Sequence, residues 1–221
     1  MYFIFQLSKL VPHLAAANVY SKEAINKVWA NVEAASYYYS AGFFLTTEGG
    51  PTAVEKVGKH ASEAGKTYVM NLSAPFLPAF FKAQLNEAIT YSDIVFGNET
   101  EMGAWAEHNG MDTKDLKEVA LKIASIERKG SKKPRMVIIT QGCDPTIIAQ
   151  NGKVEEFPIE VIAKEKIVDT NGAGDAFVAG FLGGLIYGKS IQECVKAGNF
   201  TAKAIIQMPG CTFPDNHVFK F

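Results

Sequence analysis

The chain has 221 residues, of which 48% are hydrophobic, and this is enough for the core of one domain. It carries 22 Lys and Arg against 23 Asp and Glu, and the net charge of -1 excludes a bulk electrostatic attraction to nucleic acid or to an anionic membrane. Any site for a phosphate group must therefore be local.

The cysteines and the start of the chain bear on its compartment. Cys143, Cys194 and Cys211 are odd in number and form no CxxC pair, so the sequence predicts neither a disulfide framework nor a zinc site and favours a reducing compartment. The apolar start is interrupted by Lys9 and is shorter than the roughly 20 residues that a membrane-spanning helix needs. We therefore expect a cytoplasmic protein, with the nucleus as an alternative, that is monomeric and binds neither nucleic acid nor membrane.

Strand-like and helix-like segments alternate along the chain. In chain order, the predicted elements are a helix at 24–35, a strand at 37–45, a helix at 52–64 that ends at Gly65, strands at 66–72 and 92–96, helices at 99–108 and 113–126, a strand at 136–140, hairpin strands at 146–150 and 153–157 around Asn151-Gly152, a short strand at 167–168, and helices at 174–187 and 191–208. This order predicts a single domain built as a three-layer α/β/α sandwich with a mostly parallel central sheet. The basic stretch 128–135 is interpreted as a solvated surface turn.

The stretch DTNGAGDAF at 169–177 lies between a predicted strand and a predicted helix. Gly172 and Gly174 permit a tight turn and a close backbone approach to a ligand, and free N–H groups at the start of a helix attract an anion. The carboxylate of Asp175 stands beside that positive helix end. A base that accepts the proton of an alcohol, next to a hole for the transferring phosphoryl group, is the arrangement that phosphoryl transfer needs.

Two other interpretations of this stretch compete with phosphoryl transfer. It could be a purely structural turn from a strand to a helix, in which Asp175 only complements the helix dipole. A dinucleotide-binding fingerprint would need GxGxxG, and Phe177 occupies the position of the third glycine, so that interpretation fails on its own pattern.

The segment GGLIYGKS at 183–190 matches the letters of a phosphate-binding P-loop. A true P-loop follows a strand, however, and this segment follows an apolar stretch that is typical of a helix. We therefore interpret Gly188 as the residue that ends one helix and Ser190, with Glu193, as the capping box of the next.

A third motif, NETE, directly follows the predicted strand 92–96. Asn98 and Glu101 share one face of a starting helix, where they could orient the waters of a Mg²⁺ ion near ATP phosphates. The same pair also has the pattern of an N-terminal capping box, which is the commoner explanation.

Taken together, these motifs resemble the ribokinase-like family of carbohydrate kinases, and within it the adenosine kinases. The resemblance covers residues 10–216. Segments similar to that group occur in the same order along the chain: LAAAN (14–18), AGFFLT (41–46), NLSAPF (71–76), FGNETE (96–101), TQG (140–142), DTNGAGDAFVAGFL (169–182) and GCTFP (210–214).

The resemblance implies ATP-dependent phosphorylation of the 5′-hydroxyl of adenosine, with ATP as the phosphate donor, Mg²⁺ as the cofactor, and ADP and AMP as products in purine salvage. It assigns Asp175 as the general base, the backbone of Gly172, Ala173 and Gly174 as the anion hole, Asn98 and Glu101 as the Mg²⁺ site through water, Thr140, Gly142 and Asn199 as ATP-binding residues, and Leu14, Ala16, Phe43 and Phe76 as the nucleoside pocket.

The chain departs from the family at its start. Family members carry an upstream segment with the first strands, a small lid and the groups that grip the ribose, so the resemblance implies an N-terminally truncated fold in which the lid is absent. Two alternatives therefore stay open. The chain could be a catalytically inactive fragment that keeps part of the nucleotide site, or a sugar kinase of the same family, although the apolar Leu14, Phe43 and Phe76 favour a ligand with an aromatic base.

Overall fold

Six strands form one sheet in the computed structural model, which describes residues 15–214 and 219–220 of the chain. They are β1 (Tyr37–Ala41), β2 (Thr67–Asn71), β3 (Ile94–Asn98), β4 (Met136–Gln141), β5 (Asp144–Gln150) and β6 (Lys153–Phe157). The spatial order follows the chain order, with β1 to β4 parallel and β5 and β6 added in antiparallel orientation.

The helices that flank the sheet alternate with its parallel strands. They are α1 (Ala15–Asn18), α2 (Trp29–Ala34), α3 (Gly50–Glu63), α4 (Leu77–Phe80), α5 (Lys82–Tyr91), α6 (Glu99–His108), α7 (Leu116–Ser125), α8 (Ala173–Ile186) and α9 (Ile191–Ile205), with 3-10 helices at Ala24–Val28, Gly42–Thr46 and Lys164–Lys166. Within the described ranges, no helix is long and apolar enough to cross a membrane.

Alternation along the strands divides the core into two parts, because successive strand residues point to opposite faces of the sheet. Met70 belongs to a buried cluster with side chains of α3, α5, α6 and α7, whereas its neighbour Val69 belongs to a second cluster with α8 and α9. In the second cluster the ring of Phe96 meets that of Phe181 edge to face, with centroids 5.4 Å apart. The predicted three-layer sandwich with a mostly parallel sheet is thus confirmed.

The predicted hairpin between β5 and β6 is confirmed as well. Asn151 and Gly152 have φ values of 54° and 72°, as a type I′ turn requires, and the strands pair from Gln150 opposite Lys153. Several elements match their predicted bounds closely, including α6 and the end of α3 before Gly65, which has a φ of 67°.

The strand predicted at 37–45 is too long. The chain leaves β1 after Ala41 and enters the 3-10 helix Gly42–Thr46. The Gly42 N–H donates to Oγ of Ser73 at 2.8 Å, and a Cβ on Gly42 would lie 2.6 Å from the carbonyl oxygen of Leu72. The turn therefore passes directly against the chain that follows β2, where only a glycine fits.

Two further element predictions were wrong. Residues 167–168 form no strand, because the N–H of Val168 donates at 2.8 Å to the carbonyl of Ile206, just beyond α9. The helix predicted at 24–35 begins as a 3-10 helix and becomes α-helical only from Trp29. Sequence analysis also gave no element between 73 and 91, where α4 and α5 lie.

The basic stretch 128–135 is not simply a solvated turn. Arg135 is 1% exposed, and Arg128 is 9% exposed and pairs with Asp93 at 2.8 Å. The lysines between them are exposed, whereas these two arginines are buried structural residues.

Candidate active site

A cleft of about 720 Å³ lies at the carboxyl ends of the parallel strands. Ala41, Asn71, Asn98 and Thr140 bring β1 to β4 to its wall, and the loop before α8 closes the opposite side. In open α/β sheets this edge is where ligands bind, since the loops there can vary without disturbing the strands. Among the described residues, no Lys or Arg lines the cleft.

The loop before α8 is shaped by Gly172 and Asp169. Gly172, the N-cap residue of α8, has a φ of 77°, and a Cβ there would lie 3.0 Å from Sγ of Cys211. The carboxylate of Asp169 accepts from the N–H groups of Asn171 at 2.9 Å and Gly210 at 3.2 Å, and these bonds, the first above all, lower the pKa of Asp169. The loop is thereby held so that the start of α8 opens into the cleft.

Gly172, Ala173, Gly174 and Asp175 all line the cleft, as the predicted anion hole and base require. Asp175 lies in the first turn of α8, and its side chain is exposed. Its Oδ1 accepts a hydrogen bond of 3.2 Å from the hydroxyl of Tyr39 on β1. The N–H of Ala173 donates to the carbonyl of Thr170 at 3.3 Å, whereas no hydrogen bond from the N–H of Gly174 is seen among the described residues. An exposed carboxylate beside the N–H groups at a helix start can accept a proton while the helix end stabilises an anion.

Tyr39 was not predicted as a site residue. The residue is 41% exposed, while its hydroxyl lies between Asp175 and Asn71, whose Nδ2 donates to it at 3.4 Å. Desolvation is the main cause that raises the pKa of Tyr39 to about 12, and the charges of Asp175 and Glu101 add to it. The hydroxyl therefore stays protonated at neutral pH.

Asn98 and Glu101 stand at the junction of β3 and α6, where they form a complete capping box. The Glu101 N–H donates to Oδ1 of Asn98 at 2.8 Å, and the Asn98 N–H donates to Oε2 of Glu101 at 2.9 Å. Nδ2 of Asn98 also donates to Oε1 at 3.1 Å. Burial is the main cause that raises the pKa of Glu101, which is 7% exposed, and the charges of Glu99 and Asp175 act in the same direction.

These acidic groups bear on the Mg²⁺ ion that the resemblance implies. Glu99, Glu101 and Asp175 line one cleft, and carboxylate oxygens are ligands that Mg²⁺ prefers. Residues 15–214 and 219–220 nevertheless hold no cluster of three or more His, Cys, Asp or Glu arranged to bind an ion directly. The donor set fits a hydrated Mg²⁺ that is held through its waters and through substrate phosphates.

The residues predicted to bind ATP are only partly brought together. Thr140 and Gly142 line the cleft, and Thr140 lies opposite Asn98 in the pairing of β3 with β4. Asn199 is half-buried on α9 and is not among the described residues that line the cleft.

The residues predicted to bind the nucleoside are also divided. Phe43 lines the cleft from the 3-10 helix after β1, and its ring meets that of Phe76 edge to face at 5.8 Å. Phe76 is 38% exposed at the start of α4 and lies outside the lining. Ala16 is exposed on α1 and does not line the cleft, and Leu14 lies outside the described residues.

The segment 183–190 is the last turn of α8 and the turn that leads into α9, which confirms its interpretation over the P-loop. The Gly188 N–H donates to the carbonyl of Leu185, and the Lys189 N–H donates to that of Gly184, both at 3.0 Å. This is the hydrogen-bond pattern of a Schellman motif. Ser190 then caps α9 in a capping box with Glu193.

The sequence-predicted site left out several polar residues in or beside the cleft, among them Asn71 and Ser73, which line it, and Tyr39, which bonds to Asp175. Asn71 and Ser73 belong to the segment NLSAPF, so the resemblance offered a signal for both. Ser73 has a φ of 66°, which is uncommon for a residue other than glycine and typical of functional sites. For Tyr39 the signal was weak, because it is the last of three consecutive tyrosines with nothing to distinguish it.

Comparison with known proteins agrees with this fold. The model of the pfkB family carbohydrate kinases matches residues 7–217, so the chain belongs to that family.

Within the family, the chain is similar to adenosine kinases. Adenosine kinase 1 of Arabidopsis thaliana is 44% identical over 213 residues, which cover 96% of this chain and 61% of the relative. The adenosine kinase of Schizosaccharomyces pombe is 42% identical over 207 residues, which cover 93% and 60%. The chain thus spans about three-fifths of the length of the curated relatives that it matches.

Solved structures show the same similarity. The adenosine kinase of Anopheles gambiae, in complex with P1,P4-di(adenosine-5) tetraphosphate, superposes with a TM-score of 0.84 at 42% identity, covering 89% of this chain and 58% of that one. The adenosine kinase of Schistosoma mansoni, in complex with adenosine and AMP, has a TM-score of 0.85 at 37% identity, covering 92% and 60%.

Proposed function

We propose that this chain catalyses the transfer of the γ-phosphoryl group of ATP to the 5′-hydroxyl of adenosine, giving AMP and ADP, a reaction of purine salvage. The observation that carries the proposal is the position of Asp175. Its exposed carboxylate shares one cleft with the start of α8 at Gly172, Ala173 and Gly174, in a chain whose relatives are adenosine kinases.

In the proposed reaction, Asp175 accepts the proton of the 5′-hydroxyl as the oxygen attacks the γ-phosphorus. The bond between the γ-phosphorus and the bridging oxygen of ATP breaks, and ADP leaves with the electron pair. The N–H groups at the start of α8 stabilise the charge on the transferring group. A bound Mg²⁺ would neutralise phosphate charge, and its waters would be held by Glu101 and Asn98.

The apolar part of the cleft supports a nucleoside over a simple sugar as the acceptor. Phe43 presents an aromatic ring to the cleft, its orientation supported by the edge-to-face contact with Phe76. An aromatic base can stack or pack against such a ring, whereas ribose alone has no matching surface. We therefore expect that a tenfold excess of ribose does not inhibit AMP formation from adenosine.

The test is AMP formation from ATP and adenosine by the purified chain, its Asp175→Asn variant and a control, Asp112→Asn, at an exposed carboxylate outside the cleft. Loss of a general base lowers kcat by about 100-fold or more, so we expect this for Asp175→Asn and no change for the control. A variant at position 175 that keeps its rate within twofold of the wild type refutes the role of Asp175. A folded wild type that forms no AMP refutes the proposed function for this chain.

A further inference from the structure

The hydroxyl of Tyr39 touches the carboxylate that the proposed reaction uses as its base, through the 3.2 Å hydrogen bond to Oδ1 of Asp175. We infer that Tyr39 is a positioning residue, which holds Oδ1 of Asp175 so that Oδ2 faces the acceptor hydroxyl. The inference rests on the proposed function and assigns a role to a residue that the motifs do not single out.

Three hydrogen bonds link Ser73, Asn71, Tyr39 and Asp175 in a row, and we call them the relay. The bond from Ser73 to Asn71 fixes the donor and the acceptor in the other two. The Ser73 N–H donates to Oδ1 of Asn71 at 3.0 Å, so the amide group of Asn71 must turn its Nδ2 away, towards Tyr39. Nδ2 donates to the Tyr39 oxygen at 3.4 Å. The phenolic oxygen is therefore an acceptor from Asn71, and its proton is left to donate to Asp175.

Ser73, which donates the first of these hydrogen bonds, is itself held in place by hydrogen bonds. Ser73 has a φ of 66°, and its Oγ accepts from the N–H of Gly42 at 2.8 Å and donates to the carbonyl of Asn71 at 3.2 Å. Asn71 is 8% exposed. The Asn71 amide is buried, and both its Oδ1 and its Nδ2 make hydrogen bonds, so it has one orientation. The donors and acceptors of the relay therefore do not exchange roles.

The fold places Tyr39 on the side of the sheet where Asp175 lies. Tyr39 pairs with Val69, and Val69 packs in the core cluster of α8 and α9. Residues two apart on a strand share a face, so Asn71 points the same way as Val69. Three elements, β1, β2 and α8, thus bring Tyr39, Asn71 and Asp175 together.

The negative charges near Asp175 give the neutral Tyr39 hydroxyl a specific use as a hydrogen-bond donor. Besides Asp175, the titratable groups among the described lining residues of the cleft are Glu99 and Glu101, and no described Lys or Arg lines it. Glu101 is close enough to Asp175 for their charges to interact. A neutral hydroxyl that donates to Asp175 orients its carboxylate without adding another charge.

Three consecutive tyrosines supply a matched set of variants. Tyr39→Phe removes only the hydroxyl that bonds to Asp175. Tyr37→Phe removes a hydroxyl from the same strand face, where Tyr37 pairs with Thr67. Tyr38→Phe removes a structural bond on the other face, since the Tyr38 hydroxyl donates to the carbonyl of Val32 at 2.6 Å.

The experiment measures kcat and KM for adenosine and for ATP in the full chain, with Tm to verify folding. We expect Tyr39→Phe to lower kcat about tenfold with both KM values within twofold, the scale of one hydrogen bond to a charged group. Tyr37→Phe and Tyr38→Phe should keep kcat within twofold, and Tyr38→Phe alone should lower Tm. In an Asp175→Asn background, Tyr39→Phe should have no further effect.

Asn71→Asp tests the direction of the relay. A carboxylate at position 71 keeps the bond from the Ser73 N–H but accepts the proton of Tyr39, so we expect it to lower kcat as Tyr39→Phe does. The inference is overturned if Tyr39→Phe behaves as Tyr37→Phe does, or if it lowers kcat equally with and without Asp175. If the wild type forms no AMP, the proposed function fails and the role of Tyr39 fails with it, which is a different result from an active wild type with an active Tyr39→Phe variant.

Discussion

Gly172 combines an unusual backbone conformation with a place in the proposed anion hole. Its φ of 77° is costly for any residue with a Cβ, and an added Cβ would lie 3.0 Å from Sγ of Cys211 and 3.3 Å from Cδ1 of Ile205. Gly174, two residues along, has no atom within 4 Å of an added Cβ. The two glycines therefore form a natural pair of test and control.

We expect Gly172→Ala to lower the free energy of unfolding by about 1 to 2 kcal/mol, the cost of the left-handed conformation, and to reduce kcat because the N–H groups at the start of α8 shift. Gly174→Ala should leave stability unchanged or raise it by up to about 1 kcal/mol, since alanine is the better helix former. Urea unfolding measures both. Equal loss of stability in the two variants would contradict the conformational argument.

Residues that belong to a contiguous motif could be predicted, and those that meet only in the fold could not. The turn from Gly172 to Asp175 could be predicted because its glycines and its carboxylate lie within four consecutive residues. Tyr39 reaches Asp175 across 136 positions of the chain, so only the register of β1 against β2 reveals the contact. Asn199 lies on α9 and is not among the described residues that line the cleft, so its role in binding ATP stays a prediction.

At the scale of the elements, Arg135 links two helices from the start of β4. Its guanidinium donates to the carbonyls of Ile89 in α5, of Ser92 just after α5, and of Ile123 and Ile126 at the end of α7, at 2.6 to 3.0 Å. Burial is the main cause that lowers its pKa to about 10, so the side chain remains charged at neutral pH. It donates to carbonyl groups at the ends of both helices, and those of Ile89 and Ile123 also accept from the N–H groups of Ser92 and Ile126.

We expect Arg135→Met to lower the free energy of unfolding by about 3 kcal/mol or more, because several buried carbonyls lose their donor. Lys132→Ala, at an exposed position of the same basic stretch, should change it by less than about 0.5 kcal/mol. Thermal or urea unfolding of the two variants measures both changes in stability. Similar small effects for both would restore the interpretation of 128–135 as a solvated turn.

The turn between α8 and α9 gives a second prediction at this scale. Lys189→Ala should leave the affinity for ATP within twofold, because the segment is a Schellman motif and not a P-loop. Ser190→Ala should lower stability by about 1 kcal/mol through loss of the N-cap of α9. Isothermal titration with ATP and urea unfolding measure the two effects, and a loss of ATP binding in Lys189→Ala would contradict the assignment.

Elements with strong periodicity or caps were predictable from sequence, and elements set by their neighbours were not. The NETE capping box and the Asn151-Gly152 turn carry their own local signals. The end of β1 at Ala41 is set by the close passage of Gly42 against the chain after β2, which no local pattern encodes. The helix α5 follows Pro78 and has buried residues at helical spacing, so its sequence does carry a helical signal.

At the scale of the whole molecule, the three cysteines differ in their exposure to solvent. Cys194 is buried in the layer of α8 and α9, where burial raises the pKa of its thiol, while Cys143 and Cys211 are exposed. A raised pKa leaves less of the reactive thiolate at neutral pH. We expect a thiol reagent to modify two cysteines rapidly in the native chain and the third only on unfolding. Rapid reaction of all three in a folded sample would contradict the described packing of α9.

The three-layer order was predictable because alternating strands and helices leave few arrangements of a parallel sheet. What sequence could not supply is the meeting of β1, β3 and α8 around one cleft, since that depends on the layers being stacked.

The measurement that tests the central claim most directly is a ³¹P NMR time course of the purified chain with ATP, Mg²⁺ and adenosine. The proposed function predicts equal amounts of ADP and adenosine 5′-monophosphate, and no phosphate transfer when 5′-deoxyadenosine replaces adenosine. Formation of inorganic phosphate with ADP at a rate that does not depend on adenosine, or no reaction by the folded chain, would contradict it.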